Sequence, residues 1–250
     1  MSLWIKICAN TSLEDALLSD QAGADAVGFV FAPSPRRVTP AQVAAIVPHL
    51  PAALEKIGVF VGASLEEIES TVRACALTGV QLHFNAAPGL PAKLRERFGP
   101  ELRILRVIHF GPQQHAKESG LVTGHDFKPA LSLSKGAASV AEAARALAPE
   151  ACFRDPNVDA ILVDSRTTEA VGGTGQSFDW ALASTTLFQT AKERKLVAAG
   201  GLPPANVAEA IATLRPWGVD VVSGVEAAPG HKDPAKVRAF IANARATDQK

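Results

Sequence analysis

Eight apolar runs of strand length alternate with segments of helical period, and the last three runs open into glycine-rich loops. This pattern predicts a parallel α/β fold closed into a single (β/α)8 (TIM) barrel. The length agrees, since 250 residues suit one large domain or two small ones. Eight strand units fill residues 1–250 as one barrel. A doubly wound open sheet is the alternative. Against it, the first strand-to-helix turn reads Cys8-Ala9-Asn10-Thr11 and lacks the G-x-G-x-x-G fingerprint.

Ile5-Lys6-Ile7-Cys8 is the expected first strand. Thr11 or Ser12 can cap the next helix, where Glu14 and Asp15 favour the first turn and Leu13, Ala16 and Leu17 form an apolar face. Ala26–Phe31 is the second strand, and Pro40 starts the following helix, where a missing N–H costs little. Ile57–Val61 is the third strand. Its helix, about Ser64 to Leu77, opens with Ser64 and Glu67 in capping-box spacing. Val80–His83 and Leu102–Ile108 are the fourth and fifth strands. The sixth is Ala160–Val163, ending in Asp164; the seventh and eighth are Leu196–Ala199 and Val219–Val222. Helices are expected near Asp179–Leu187, Pro204–Leu214 and Pro234–Ala246. About 111–139 has no sustained period and several breakers, so it is expected as a surface loop insertion after strand five, with a lid as the sharper alternative.

Composition narrows the function. Lys plus Arg equals Asp plus Glu at 25 each, giving zero net charge. The simplest argument for nucleic acid or an anionic membrane as partner is thereby removed, while a local positive pocket is still allowed. The three cysteines, Cys8, Cys75 and Cys152, form neither a CxxC pair nor an even disulfide set. The first residues lack a signal-peptide pattern, and no apolar run reaches the roughly 18 residues of a membrane span. A soluble, cytoplasmic protein is expected.

The three glycine-tipped strand ends carry the strongest functional signal. They are Asp164 through Gly172-Gly173-Thr174-Gly175, then Gly200-Gly201, then Ser223-Gly224. Glycine lets backbone N–H groups approach an anion, and such loops at neighbouring strand ends build a phosphate cup on a parallel barrel. Reactive side chains in such a barrel sit at the C-terminal strand ends, which nominates Cys8, His83 and Asp164. For Cys8 alone a packed, inert thiol is the default reading, and Cys75 and Cys152 fit it better still. Asp164 follows four apolar residues and must meet solvent, a partner or substrate; a helix cap or a bridge to Arg166 is the plain alternative. His83 serves as a structural histidine or a substrate contact. Arg36 and Arg37 are solvated loop charges or a carboxylate clamp. Gly58, in mid-strand, marks close packing.

Together these residues resemble the phosphoribosylanthranilate isomerase family of tryptophan biosynthesis. The marks are Lys6-Ile7-Cys8, Gly23 through Phe31, Ser34-Pro35-Arg36, Gly58–Val61 and Gln81-Leu82-His83. Further marks are Leu162–Ser165, Gly172–Gly175 through Trp180, Ala199–Leu202 with Asn206-Val207, and Val219-Asp220-Val221. Ser223–Glu226, Gly230 and Lys232-Asp233 complete them. The resemblance implies an enzyme that performs an Amadori rearrangement, converting N-(5-phosphoribosyl)anthranilate to 1-(2-carboxyphenylamino)-1-deoxyribulose 5-phosphate. It implies no metal and no organic cofactor. By carry-over, Asp164 is the general acid and Cys8 the general base. Arg36 would hold the anthranilate carboxylate, with His83 also against substrate. Groups near Gly173, Gly175, Gly200, Gly201, Ser223 and Gly224 would hold the phosphate. The partner is a small phosphorylated substrate, and the protein a monomer or homodimer.

Ala9, Phe84 and Val222 depart from the family pattern, where glycine, glycine and serine are usual, as do Arg37 and Gly62. Ala9 would strain the catalytic turn if its φ is positive. The expectation is that activity survives. Other phosphate-binding barrels compete. A synthase of this pathway would want an early-strand lysine; Lys6 faces the same way as Cys8, whereas Lys56 lies at the wrong end. The histidine-pathway isomerase usually has aspartate where Cys8 stands. An impaired phospho-sugar-binding relative is the reading from another class.

Overall fold

The structure is a computed structural model. It describes residues 2–83, 86–110, 153–164, 180–189, 191 and 193–248. Eight parallel strands close into a barrel in sequence order. They are β1 (Trp4–Ile7), β2 (Ala26–Val30), β3 (Glu55–Phe60), β4 (Gly79–Leu82), β5 (Arg103–His109), β6 (Ala160–Asp164), β7 (Lys195–Ala199) and β8 (Gly218–Val221). β1 pairs with both β2 and β8, which closes the ring. The helices are α1 (Leu13–Gln21), α2 (Pro40–Ile46), α3 (Leu65–Ala74), α4 (Leu90–Phe98), α5 (Trp180–Ala183), α6 (Val207–Leu214) and α7 (Pro234–Asp248). A small hairpin, β9 (Glu226–Ala228) with β10 (His231–Lys232), follows β8. The segment 111–139, expected as an insertion, lies outside the described residues.

The expected elements form, with shifted ends that have local causes. Ser12 rather than Thr11 caps α1, accepting from the Asp15 N–H, while the Thr11 hydroxyl donates to the Gly230 carbonyl at 2.5 Å. Ser64 and Glu67 form the expected capping box on α3. That helix stops at Ala74 instead of Leu77, because Ala76 adopts φ 47° and breaks the helical path. α6 begins at Val207, after the Pro203-Pro204 pair. β1 ends at Ile7 and β4 at Leu82, so Cys8 and His83 stand one residue beyond their strands.

Alternation divides the strands between two cores. Ile5, Ile7, Val27, Phe29, Ile104, Ile108, Ile161, Val163, Val219 and Val221 face the helices in one large cluster. Trp4, Ala26, Ile57, Leu105, Val107, Ala160, Leu162, Val197 and Ala199 fill the barrel. Side chains two residues further along these inward-facing rows reach the C-terminal mouth. That geometry delivers Cys8, His83, His109 and Asp164 to one opening. Gly58 pairs with Phe29 and Val80 on the helix-facing side, where a Cβ would lie 2.7 Å from Leu77 and Phe60, so its role is packing.

Candidate active site

Cys8 follows β1 and is buried. Its N–H donates to the Val221 carbonyl at 2.9 Å, extending the β1–β8 ladder by one residue. The chain then turns sharply at Ala9, which takes φ 62° with its side chain fully buried. This is the left-handed conformation that disfavours a Cβ. Asn10 holds the turn from inside. Its Nδ2 donates to the carbonyls of Ile7 and Gly28 at 2.8 and 3.3 Å, and its Oδ1 accepts from Ser19 at 3.2 Å. The thiol lies against Gly28 of β2; a Cβ there would come within 2.5 Å of Cys8 Sγ.

Beneath the thiol lies a buried ion pair. Lys6 Nζ donates to Asp220 Oδ1 at 2.8 Å and to Gln81 Oε1 at 2.9 Å, with no exposure of the lysine side chain. Burial opposes the lysine charge, but the charge and hydrogen-bond interactions with Asp220 and Cys8 together outweigh it, and Lys6 is held above its ordinary value. For Cys8 the balance runs the other way. Burial pushes the thiol up, and the lysine charges at Lys6 and Lys232 offset this only in part, against a further upward push from Asp220. The free site therefore favours the thiol form, although a thiolate-stabilising cation stands nearby.

Asp164 ends β6 and is 2% exposed. Its backbone carbonyl accepts from the Phe110 N–H at 3.0 Å. β6 is separated from β1 by β7 and β8, so Asp164 and Cys8 approach the mouth from different sides of the barrel. His109, not singled out by sequence, pairs in register with Asp164, and its ring lies 6.4 Å from that of His83. Alternation along β5 could have found it: His109 is two residues past Val107, which faces the barrel interior.

Arg36 is drawn in from the loop after β2. Ser34 accepts from the Arg36 N–H through its hydroxyl and from the Arg37 N–H through its carbonyl, at 3.1 and 3.0 Å. The Arg36 side chain is 15% exposed and grips Glu226, with Nε and Nη2 donating at 2.8 and 2.7 Å. It is thus no solvated loop charge. Arg37 is exposed and fits that plainer description. Hydrogen bonding to Glu226 holds the Arg36 guanidinium above its ordinary value. Burial opposes ionisation of Glu226, yet the Arg36 hydrogen bonds and the Lys232 charge outweigh it and hold the carboxyl below its ordinary range.

Two adjacent strand ends supply candidate phosphate groups. After β7, Gly200 and Gly201 take φ 80° and 61° in succession. After β8, Ser223 and Gly224 open a short 3-10 turn, Ser223–Val225. A Cβ on Gly224 would lie 2.5 Å from the Leu202 carbonyl, so only glycine lets these two loops meet. Gly173 and Gly175 lie outside the described residues, as do Phe84, Arg166 and Cys152. Cys75 is buried at the end of α3, its Sγ 3.4 Å from the Pro40 carbonyl, which suits an inert thiol. Lys56 donates to the Pro51 carbonyl at 2.6 Å, at the end of the barrel away from the mouth. Among the described residues, no group of three or more His, Cys, Asp and Glu could hold a metal ion. No helix among them is long and apolar enough to cross a membrane.

A closed eight-stranded parallel barrel, with a thiol, a carboxylate, two histidines and glycine-tipped loops at its C-terminal mouth, has the architecture of (β/α)8-barrel enzymes. The family model described as N-(5'-phosphoribosyl)anthranilate (PRA) isomerase matches residues 5–124 and 130–243, and the chain belongs to that family. An N-(5'-phosphoribosyl)anthranilate isomerase of Pelobacter propionicus is 41% identical over 244 residues, 97% of this chain and 96% of that one. The crystal structure of phosphoribosyl anthranilate isomerase from Thermotoga maritima aligns with TM-score 0.75 and 33% identity, covering 98% and 99% of the two chains. A further phosphoribosyl anthranilate isomerase, solved with reduced 1-(o-carboxyphenylamino)-1-deoxyribulose 5-phosphate, aligns with TM-score 0.71 and 32% identity over 98% and 99%.

Proposed function

We propose that this isomerase converts N-(5-phosphoribosyl)anthranilate to 1-(2-carboxyphenylamino)-1-deoxyribulose 5-phosphate with Asp164 as general acid and Cys8 as general base. The observation that carries the assignment is their delivery to one mouth from different sides of the barrel. The reaction needs proton transfer at two different atoms of one substrate. Asp164 gives a proton to the ribose ring oxygen as the C1–O bond breaks. The nitrogen lone pair forms a C1=N bond, leaving an iminium. Cys8 takes the proton from C2, the C–H electrons form C1=C2, and the iminium electrons return to nitrogen. The amino-enol then tautomerises to the 2-ketose.

The raised thiol fits this sequence in one respect. The free site holds the proton on sulfur, whereas the ring-opened substrate brings a cation next to C2. That charge favours thiolate at the moment a base is needed. Arg36 is the carboxylate clamp, and backbone groups at Gly200, Gly201, Ser223 and Gly224, with Gly173 and Gly175, hold the phosphate. His83 lies against substrate beside His109. Anchors at both ends of the substrate would fix the ribose between acid and base. The same reading expects a monomer or homodimer working in the cytoplasm without metal or organic cofactor.

The test is loss of anthranilate fluorescence from phosphoribosylanthranilate made in situ. Wild type turns over, while Cys8→Ala and Asp164→Asn each lose at least about a hundredfold in kcat. A folded Cys8→Ala or Asp164→Asn variant with near wild-type kcat rejects the corresponding role.

A further inference from the structure

Arg36 spends half of its binding geometry on a protein carboxylate. A guanidinium offers two in-plane forks, and here the Nε/Nη2 fork is filled by Glu226, with Nε also 3.0 Å from the second carboxylate oxygen. Among the described residues, Nη1 makes no hydrogen bond. The Nη1/Nη2 fork is left for a second carboxylate. Glu226 is fixed in turn. It accepts from the Gly230 N–H at 3.2 Å and from Lys232 Nζ at 3.4 Å, and its side chain is 4% exposed. Lys232 Nζ also donates to the Cys8 carbonyl at 2.6 Å and reaches the Val222 carbonyl at 3.5 Å. One buried chain of contacts thus runs from Arg36 through Glu226 and Lys232 to the backbone of the catalytic turn and the start of the β8 loop.

A glutamate beside a carboxylate-binding arginine works against affinity by charge alone. Its presence makes sense as a device for direction. We propose that Glu226 is a positioning residue, which aims the free fork of Arg36 at the substrate carboxylate and, through Lys232, holds that clamp in register with Cys8. The proposal rests on the assignment of Arg36 as the carboxylate clamp.

Affinity for two ligands provides the test. One is the reduced product analogue, 1-(2-carboxyphenylamino)-1-deoxyribitol 5-phosphate; the other is its counterpart without the carboxylate. Both are titrated calorimetrically into wild type, Glu226→Gln, Glu226→Asp, Arg36→Met and the Arg36→Met/Glu226→Gln double variant. Glu226→Gln weakens the carboxylated ligand at least about tenfold and leaves the other within about twofold, as expected for a misdirected charged hydrogen bond. Glu226→Asp keeps the charge, shortens the reach, and gives a loss of the same kind. The double variant is no worse than Arg36→Met, because both act on one contact. Carboxylated ligand that binds Glu226→Gln as well as or better than wild type overturns the proposal, since charge removal then dominates. Equal losses for both ligands also overturn it, as would failure of both Glu226 variants to fold, either pointing to a structural role. If Arg36→Met keeps the full preference for the carboxylate, the clamp assignment itself is wrong and the proposal falls with it.

Discussion

Replacing Gly28 by alanine should disable the site by displacing its thiol. Gly28 lies on β2 against the side chains that β1 sends into the barrel. An added Cβ would stand 2.5 Å from Cys8 Sγ, 3.0 Å from Lys6 Cε and 3.1 Å from Cys8 Cα. Carbon contacts are comfortable only from about 3.5 to 4.0 Å, so the thiol must move by roughly 1 Å. Rotating the thiol relieves Sγ but not Cα; the backbone has to shift as well. Overpacking of this kind costs about 1–3 kcal/mol. At about 2–4 °C per kcal/mol for a chain of this size, the melting temperature falls by about 2–12 °C. A reacting group misplaced by about 1 Å costs on the order of a hundredfold in rate. The control is Gly58→Ala, whose Cβ would meet Leu77 and Phe60 at 2.7 Å on the helix-facing side. It should lose comparable stability while kcat stays within about threefold, because overpacking there strains packing and leaves Cys8 and Asp164 in place. Calorimetric melting and the fluorescence assay measure both effects. Wild-type turnover in Gly28→Ala, or equal loss of turnover in the two variants, would refute the reasoning.

Two further outcomes concern the same turn. Ala9 holds φ 62°, a conformation that costs a residue with a Cβ about 1–2 kcal/mol; glycine regains this but adds about 0.5–1 kcal/mol of unfolded-state freedom. Ala9→Gly should therefore raise stability by about 0–1.5 kcal/mol and raise turnover, and a turnover unchanged from wild type shows that Ala9 does not impair the Cys8 turn. The raised Cys8 thiol sets the second outcome. Alkylation of Cys8 by iodoacetamide, followed peptide by peptide in a mass spectrometer, should rise with pH along a limb centred above the ordinary thiol value of 9.0. Lys6→Met removes a charge that lowers the thiol and should move that limb further up. A wild-type limb at or below 9.0 would contradict the dominance of burial.

Much of this site is legible from strand ends alone. Alternation and a C-terminal position suffice to place Cys8, His83 and Asp164 at one mouth, since both properties are local to a few residues. Glycine punctuation likewise marks the β7 and β8 loops, because a positive φ or a close backbone approach is written at the residue that needs it. His109 escaped because the fifth strand reads from the sequence only as far as Ile108; alternation from Val107 carries the signal, and the pairing with Asp164 shows which neighbour it serves.

The amino-acid sequence by itself determined the order and number of the barrel strands, the parallel α/β class, the thiol and carboxylate at the ends of β1 and β6, and the glycine-tipped loops; the β9–β10 hairpin it did not show. Only the tertiary structure decided who pairs with whom. Lys6 meets Asp220 across 214 residues, Arg36 meets Glu226 across 190, and Lys232 meets the Cys8 carbonyl across 224. Periodicity and turn chemistry act over neighbouring residues, but charge partners are chosen where closure of β1 against β8 brings the two ends of the chain together. The same closure decides that Cys8 lies buried above Lys6, where desolvation outweighs the cation.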